Sequence, residues 1–201
     1  METENIGYIR LNQFLGTAYE EVCKAMEELK KKGMTSLILD LRDNPGGNYD
    51  VLEKIAGLFL KKGDLLTTMR SRHGEEQKYY VKNDGCEIPL VVLVNENTAS
   101  AAELLTGALQ YYGRAEIIGS RTFGKGIVQG FFELNSGSGY VKITIEEYLL
   151  PGDKSIHGKG VEPDIPVEQK EENWEKPVEQ IEKEEDLVRM EARKVLQQIV
   201  K

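Results

Sequence analysis

Apolar residues along this chain recur at two spacings, about 3.6 residues in four stretches and unbroken or alternating in the short runs between them. Ala18, Val22, Ala25 and Leu29 form the stripe of a first helix reaching residue 32, with Thr17 and Glu20 in capping-box spacing at its start. Val51, Leu52, Ile55, Ala56 and Phe59 share a face of a second helix, and Ala101, Leu104, Leu105, Ala108 and Tyr112 a face of a third. Strands are predicted over residues 8–11, 36–41, 65–70, 78–81, 90–94, 115–119, 128–134 and 140–149. Runs 36–41 and 90–94 read as strands covered on both faces, with Asp40 the acidic break in the first. Helices between such strands make an α/β domain whose crossovers join at least three parallel strands.

After residue 167 the pattern changes. Residues 168–186 hold nine acidic and three basic side chains, most of the chain's net charge of −8, together with its only tryptophan, Trp174, and Pro177. This segment reads as a linker or solvated extension. Ile181, Val188, Ala192, Val195 and Ile199 then line a helix, whose docking on its own core is favoured over docking on a second copy of the chain. The organisation is a core over residues 1–167, then an acidic linker and an amphipathic helix over 168–201.

The 201 residues, 40% hydrophobic, suffice to bury a core. No apolar run approaches the roughly 18 to 20 residues that cross a bilayer. No face gathers lysine and arginine, which argues against nucleic acid as a partner. Cys23 and Cys86 do not define a disulfide framework, and the opening Met-Glu-Thr-Glu-Asn lacks the basic and apolar stretches of a secretory signal.

Ligands of open α/β sheets collect beyond the carboxyl ends of the parallel strands. Residues 44–47, 95–100 and 120–125 fall there. A helix over 101–112 runs about 18 Å from that edge and strand 115–119 returns to it, so Ser100 and Lys125 come out as neighbours. A serine beside a neutral lysine is a nucleophile and base pair. A free lysine titrates at about 10.4, so a base working near pH 7 to 8 needs about 4 kcal/mol of help, which burial against Phe123 and the apolar strands would supply. Gly46 or Gly47, with Ala101 at the helix start, are candidate oxyanion donors.

Each segment also has a plainer reading. Ser100 and Glu103 fit a capping box, Lys125 between Gly124 and Gly126 fits a solvated turn, and Asn44-Pro45-Gly46-Gly47 is a common turn sequence. Their convergence on one edge is what points to chemistry. Residues 119–125 also match the Gly-x4-Gly-Lys spacing of a phosphate loop, but Gly126 stands where that loop needs Ser or Thr, and a strand follows. Of the two histidines, His73 lies in a charged turn and His157 is the alternative triad member; no ligand set for a metal or cofactor stands out.

Four segments together resemble the carboxyl-terminal processing peptidases, the tail-specific serine protease family: Leu39-Asp-Leu-Arg-Asp-Asn-Pro-Gly-Gly47, Val94-Asn-Glu-Asn-Thr-Ala-Ser-Ala-Ala-Glu103, Gly119-Ser-Arg-Thr-Phe-Gly-Lys-Gly-Ile-Val-Gln129 and His157-Gly-Lys-Gly-Val-Glu-Pro-Asp-Ile165. The resemblance implies a Clp peptidase and crotonase-like core. It implies Ser100 as nucleophile, Lys125 as general base, Gln129 as the residue orienting that lysine, and Gly46 or Gly47 with Ala101 as the oxyanion hole. His157 becomes structural, since Gly-Lys-Gly-x-Val-Gln is the pattern of the lysine branch. Implied partners are proteins with flexible C-termini, with no cofactor and an exported parent, and self-association through the C-terminal helix is a further expectation. Nothing in the chain corresponds to the PDZ domain the family carries. The competing expectations are a catalytically silent peptide-binding module of the same fold and an acyl-CoA enzyme.

Overall fold

In the computed structural model, which describes all residues except 4, 136, 175, 200 and 201, the strands and helices that the apolar spacing predicts occur in the predicted order, joined by two short strands at 154–155 and 165–166 that it does not predict. They are β1 (Ile6–Arg10), α1 (Ala18–Lys31), β2 (Ser36–Asp40), α2 (Tyr49–Ala56), β3 (Leu65–Ser71), β4 (Glu76–Tyr80), β5 (Leu90–Val94), α3 (Ala101–Tyr111), β6 (Glu116–Gly119), β7 (Ile127–Glu133), β8 (Tyr140–Leu150), β9 (Lys154–Ser155), β10 (Ile165–Pro166) and α4 (Leu187–Ile199). A five-stranded sheet, ordered β1-β2-β5-β6-β10, is parallel throughout. An antiparallel sheet, ordered β4-β3-β8-β7, packs against α3 through β3 and β8.

The pleat of the parallel strands explains why they are apolar throughout. Leu37, Leu39, Val92 and Val94 face a core shared with α1, α2 and α3, while Ile38, Val91, Leu93 and Ile118 face the other way, against Val188, Ala192 and Leu196 of α4. Such strands need cover on both faces, and the C-terminal helix supplies the second. It docks on its own core, as the amphipathic pattern favours. Its stripe is 188, 192 and 196, four residues apart; Ile181 is buried ahead of the helix and Ile199 is half exposed.

Two expectations change. The capping box at Thr17 and Glu20 does not form: Thr17 has ψ 14°, not the extended backbone a cap needs, and its hydroxyl donates to Glu21 at 2.6 Å. The acidic stretch after residue 167 keeps most of its described acids in solvent, as its composition predicts, but it also packs back on the fold. It runs in two short 3-10 turns, Glu171–Asn173 and Val178–Gln180, and buries Asn173, Ile181 and Asp186. Its charge misled because the buried acid is paired: the Asp186 carboxylate accepts from both terminal nitrogens of Arg42 at 2.8 Å, and Arg42 also donates to Asp40. Glu2 is likewise buried and held by Arg189, Arg193 and Lys183.

Burial pushes the Asp186 carboxyl up, but hydrogen bonds from Arg42 and its charge outweigh that and hold it below the ordinary carboxylate range. A depressed folded pKa gives stability that is present above the unfolded value of about 4 and is lost as pH falls through the folded one. Protection of the α4 amides, taken relative to their intrinsic exchange rates, is therefore expected to fall below about pH 4, and Asp186→Asn to remove that part of the acid dependence. An α4 whose amide protection in the native chain, corrected for the intrinsic slowing of exchange in acid, is unchanged from pH 5 to 3 would contradict it.

Candidate active site

The parallel strands end nearly flush, with Asp40 beside Leu93 and Val94 beside Gly119, so the loops after β2, β5 and β6 emerge together. Backbone hydrogen bonds stitch them. Ala99 N–H donates to Asn44 O at 2.9 Å, and Phe123 N–H to Thr98 O at 3.0 Å. Asp43 adds side-chain ties, accepting from the amides of Asn95 at 2.7 Å and Asn97 at 3.0 Å. Burial raises the Asp43 carboxyl, but these donors and Arg10 outweigh it and keep it below the usual range.

Ser100 sits at the head of α3 with φ 57° and ψ −121°, in the positive-φ half of the map that L residues with a side chain rarely enter. Such strain, of order 1–3 kcal/mol, persists only where the surroundings impose it. Here the imposing group is Glu103. Its side chain is fully buried, and one carboxylate oxygen accepts from Ser100 N–H and Lys125 N–H, both at 2.8 Å. Its other oxygen accepts from the Thr122 hydroxyl at 2.6 Å and Gly124 N–H at 2.7 Å. The backbones of Ser100 and Lys125 thus share a single oxygen atom, which makes neighbours of residues that the strand and helix lengths bring to one edge.

Lys125 is half-buried, and its loop is packed, unlike a solvated turn. A Cβ on Gly126 would lie 2.7 Å from His157 N, and Gly124 has φ +90°. His157 itself is exposed, with its backbone against the lysine loop. Phe123, by contrast, is 65% exposed and lines the cleft, so it does not wrap the lysine as the sequence led us to expect. Gln129 is half-buried on β7, opposite Thr144 of β8 and next to a bulge at Val128.

Of the oxyanion candidates, Gly46 N–H is engaged by Asn44 Oδ1 at 2.8 Å. Among the described residues, neither Gly47 N–H nor Ala101 N–H has a hydrogen-bond acceptor. Gly46 matters sterically as well: at φ +94°, a Cβ there would sit 2.8 Å from Ala101 N, Ala99 O and Ser100 Cβ. Gly46→Ala is expected to cost about 2–3 kcal/mol and lower the melting temperature by roughly 5–10 °C. A thermal melt matching the native chain would contradict the crowding.

The loops open on a cleft of about 1330 Å3 lined by Lys125, Pro45 and Ala99 from the sheet edge and by residues of the 168–186 segment. Sequence reasoning missed three features here. Glu103 was read only as half of a capping box, although an acid within the otherwise apolar run of α3 was a signal. Asp186 and its pairing with Arg42 gave none. The segment bearing Trp174 was read as a linker or solvated extension with no part in a site, whereas it lines the cleft. Among the described residues no group of three or more His, Cys, Asp or Glu is placed to hold a metal ion. No helix among them is long and apolar enough to cross a membrane.

Residues 5–167 match the model of peptidase family S41. The chain is 43% identical over 167 residues to a carboxyl-terminal-processing protease of Synechocystis sp., covering 83% of this chain and 39% of that protein. It is 41% identical to the chloroplastic carboxyl-terminal-processing peptidase 1 of Arabidopsis thaliana, covering 81% and 34%. The chain thus spans about two fifths or less of the length of these relatives. A solved structure of a photosystem II D1 C-terminal processing protease superposes with a TM-score of 0.75 at 36% identity, over 81% of this chain and 42% of that one.

Proposed function

The chain belongs to peptidase family S41, and from that premise we propose that it is the catalytic part of a serine endopeptidase that cuts proteins near their C-termini with a serine and lysine pair. Ser100 Oγ attacks the scissile carbonyl carbon while neutral Lys125 Nζ takes the hydroxyl proton. The tetrahedral oxyanion is received by Ala101 N–H and a glycine N–H of the 46–47 turn. Collapse breaks the C–N bond, and the Lys125 ammonium returns its proton to the leaving amine. Water, deprotonated in turn by Lys125, then attacks the acyl-serine ester, releasing the new carboxyl terminus and restoring both side chains. Gln129, four residues beyond the lysine on β7, orients its amine.

The observation that carries this reading is the shared carboxylate of Glu103, which fixes the backbones of nucleophile and base to one oxygen. The same core boundary at residue 167 is supported by the extent of the family match. Substrates with flexible C-termini follow from the relatives' C-terminal processing names, and an exported parent from the family resemblance, with a chloroplastic protein among the relatives.

The test is to incubate an unstructured protein with the chain and read the products by mass spectrometry. Discrete new C-termini, absent with a Lys125→Met chain, are the expected result. A substrate that is held but recovered uncut would overturn the reading in favour of a silent peptide-binding module.

A further inference from the structure

The family match ends at residue 167, yet the cleft does not. Its lining joins Ala99, Phe123 and Lys125 from the sheet-edge loops to Trp174, Pro177 and Val178 from the acidic segment. Trp174 is 62% exposed, which is unusual for a side chain that gains more than any other from burial. Its polar atom is nevertheless satisfied: Nε1–H donates to Gln169 O at 2.8 Å. Gln169 is fixed in turn, donating to Asp186 Oδ1 at 2.8 Å and accepting from Leu187 N–H at 3.1 Å, and Asp186 is clamped by Arg42. A chain of hydrogen bonds therefore runs from the loop beside Ser100 to the indole, which is held in place with its apolar surface open.

An anchored, solvent-facing aromatic ring loses little freedom when it is covered, which is the property of residues that dominate binding. The charges along this cleft are mixed, with Arg10, Lys125 and Lys176 set against Asp43, Glu168 and Glu179, so they select no net charge in a ligand. What the cleft lacks is an apolar partner for its two exposed rings, Trp174 and Phe123. The cleft takes in Lys125, the candidate base, and Ala99, the residue before Ser100, so its occupant is the extended substrate chain.

We propose that Trp174 forms, with Phe123, Pro177 and Val178, a subsite that accepts one large apolar side chain of the peptide being cleaved, making the segment beyond the family match a determinant of sequence preference. This rests on the peptidase reading for the identity of the ligand as a substrate, but its binding arm does not depend on catalysis.

Trp174 is the only tryptophan, so it reports on its own subsite. In a Ser100→Ala chain, titration with unstructured peptides containing Leu or Phe is expected to give a saturable blue shift of emission that Gly/Ser peptides of equal length and charge do not. In the cleaving chain, kcat/KM should favour Leu or Phe over Gly at one fixed position from the cut. That ratio should collapse about tenfold in Trp174→Ala, mainly through KM, and be retained in Trp174→Phe. Cleavage with an unchanged preference in Trp174→Ala would overturn the subsite and leave the peptidase standing. A specific emission shift with no cleavage by the native chain would do the reverse. No shift with any peptide would overturn the subsite whether or not the chain cuts.

Discussion

Ser100→Ala is expected to bring cleavage of an unstructured protein down by at least about 10⁴-fold, more than 5 kcal/mol of transition-state stabilisation. The substitution removes the atom that attacks, and neighbouring hydroxyls are committed elsewhere: Thr122 donates to Glu103 and Thr98 to the Leu41 carbonyl. Ser100→Gly should lose activity equally while moving stability the opposite way from most substitutions. With φ 57° and ψ −121° the native serine is strained, and glycine relieves about 1 kcal/mol, a rise of roughly 2–4 °C in melting temperature for a chain of this size. The pair separates the chemistry of the hydroxyl from the cost of its position. Retained cleavage in Ser100→Ala would remove the nucleophile assignment, and a lower melting point for Ser100→Gly would remove the strain argument.

Glu103→Gln should damage both stability and turnover although Glu103 is given no part in the reaction. Four donors point at this carboxylate, three of them backbone N–H groups that cannot reverse their direction. Whichever way the carboxamide is placed, its NH2 faces at least one of those N–H groups and leaves it unsatisfied in a fully buried site. Each such group costs about 1–3 kcal/mol, so a loss of about 3 kcal/mol, or roughly 6–12 °C, is expected. Because the same contacts set the spacing of Ser100 and Lys125, kcat should fall about 100-fold with a smaller change in KM. A variant that loses stability yet keeps native kcat would show the carboxylate to be structural only.

Much of the fold was legible because local pattern and burial agree. The apolar runs 36–41, broken only at Asp40, and 90–94 became central strands, and the i, i+3, i+4 stripes became α1, α2 and α3, with ends within a few residues of expectation. At the candidate site, the meeting of the Ser100 and Lys125 loops followed from element lengths alone. What the sequence hid was pairing between charges far apart along the chain. Arg42 and Asp186 look like surface residues singly and Asp40 like an unexplained acid in a buried strand, and only their mutual satisfaction lets them be buried. In residues 168–186 the acidic composition did mark solvation at most of the described acids, and what it hid was the one acid, Asp186, for which a cation elsewhere is waiting. The exposed faces of Phe123 and Trp174 were likewise invisible, since the extent of burial at a loop is set by what folds over it.

The pairing of Arg42 with Asp186 spans 144 residues. During synthesis at about 5–20 residues per second, roughly 7 to 30 s separate the two partners' emergence from the ribosome. Within that interval the serine and lysine loops have already been made, while Arg42 lacks one of its two acids, α4 has not covered the second face of the sheet, and one wall of the cleft does not exist. The nascent polypeptide therefore carries the reactive groups before it carries the surface that would select their target, and the order of translation keeps those two capacities apart in time.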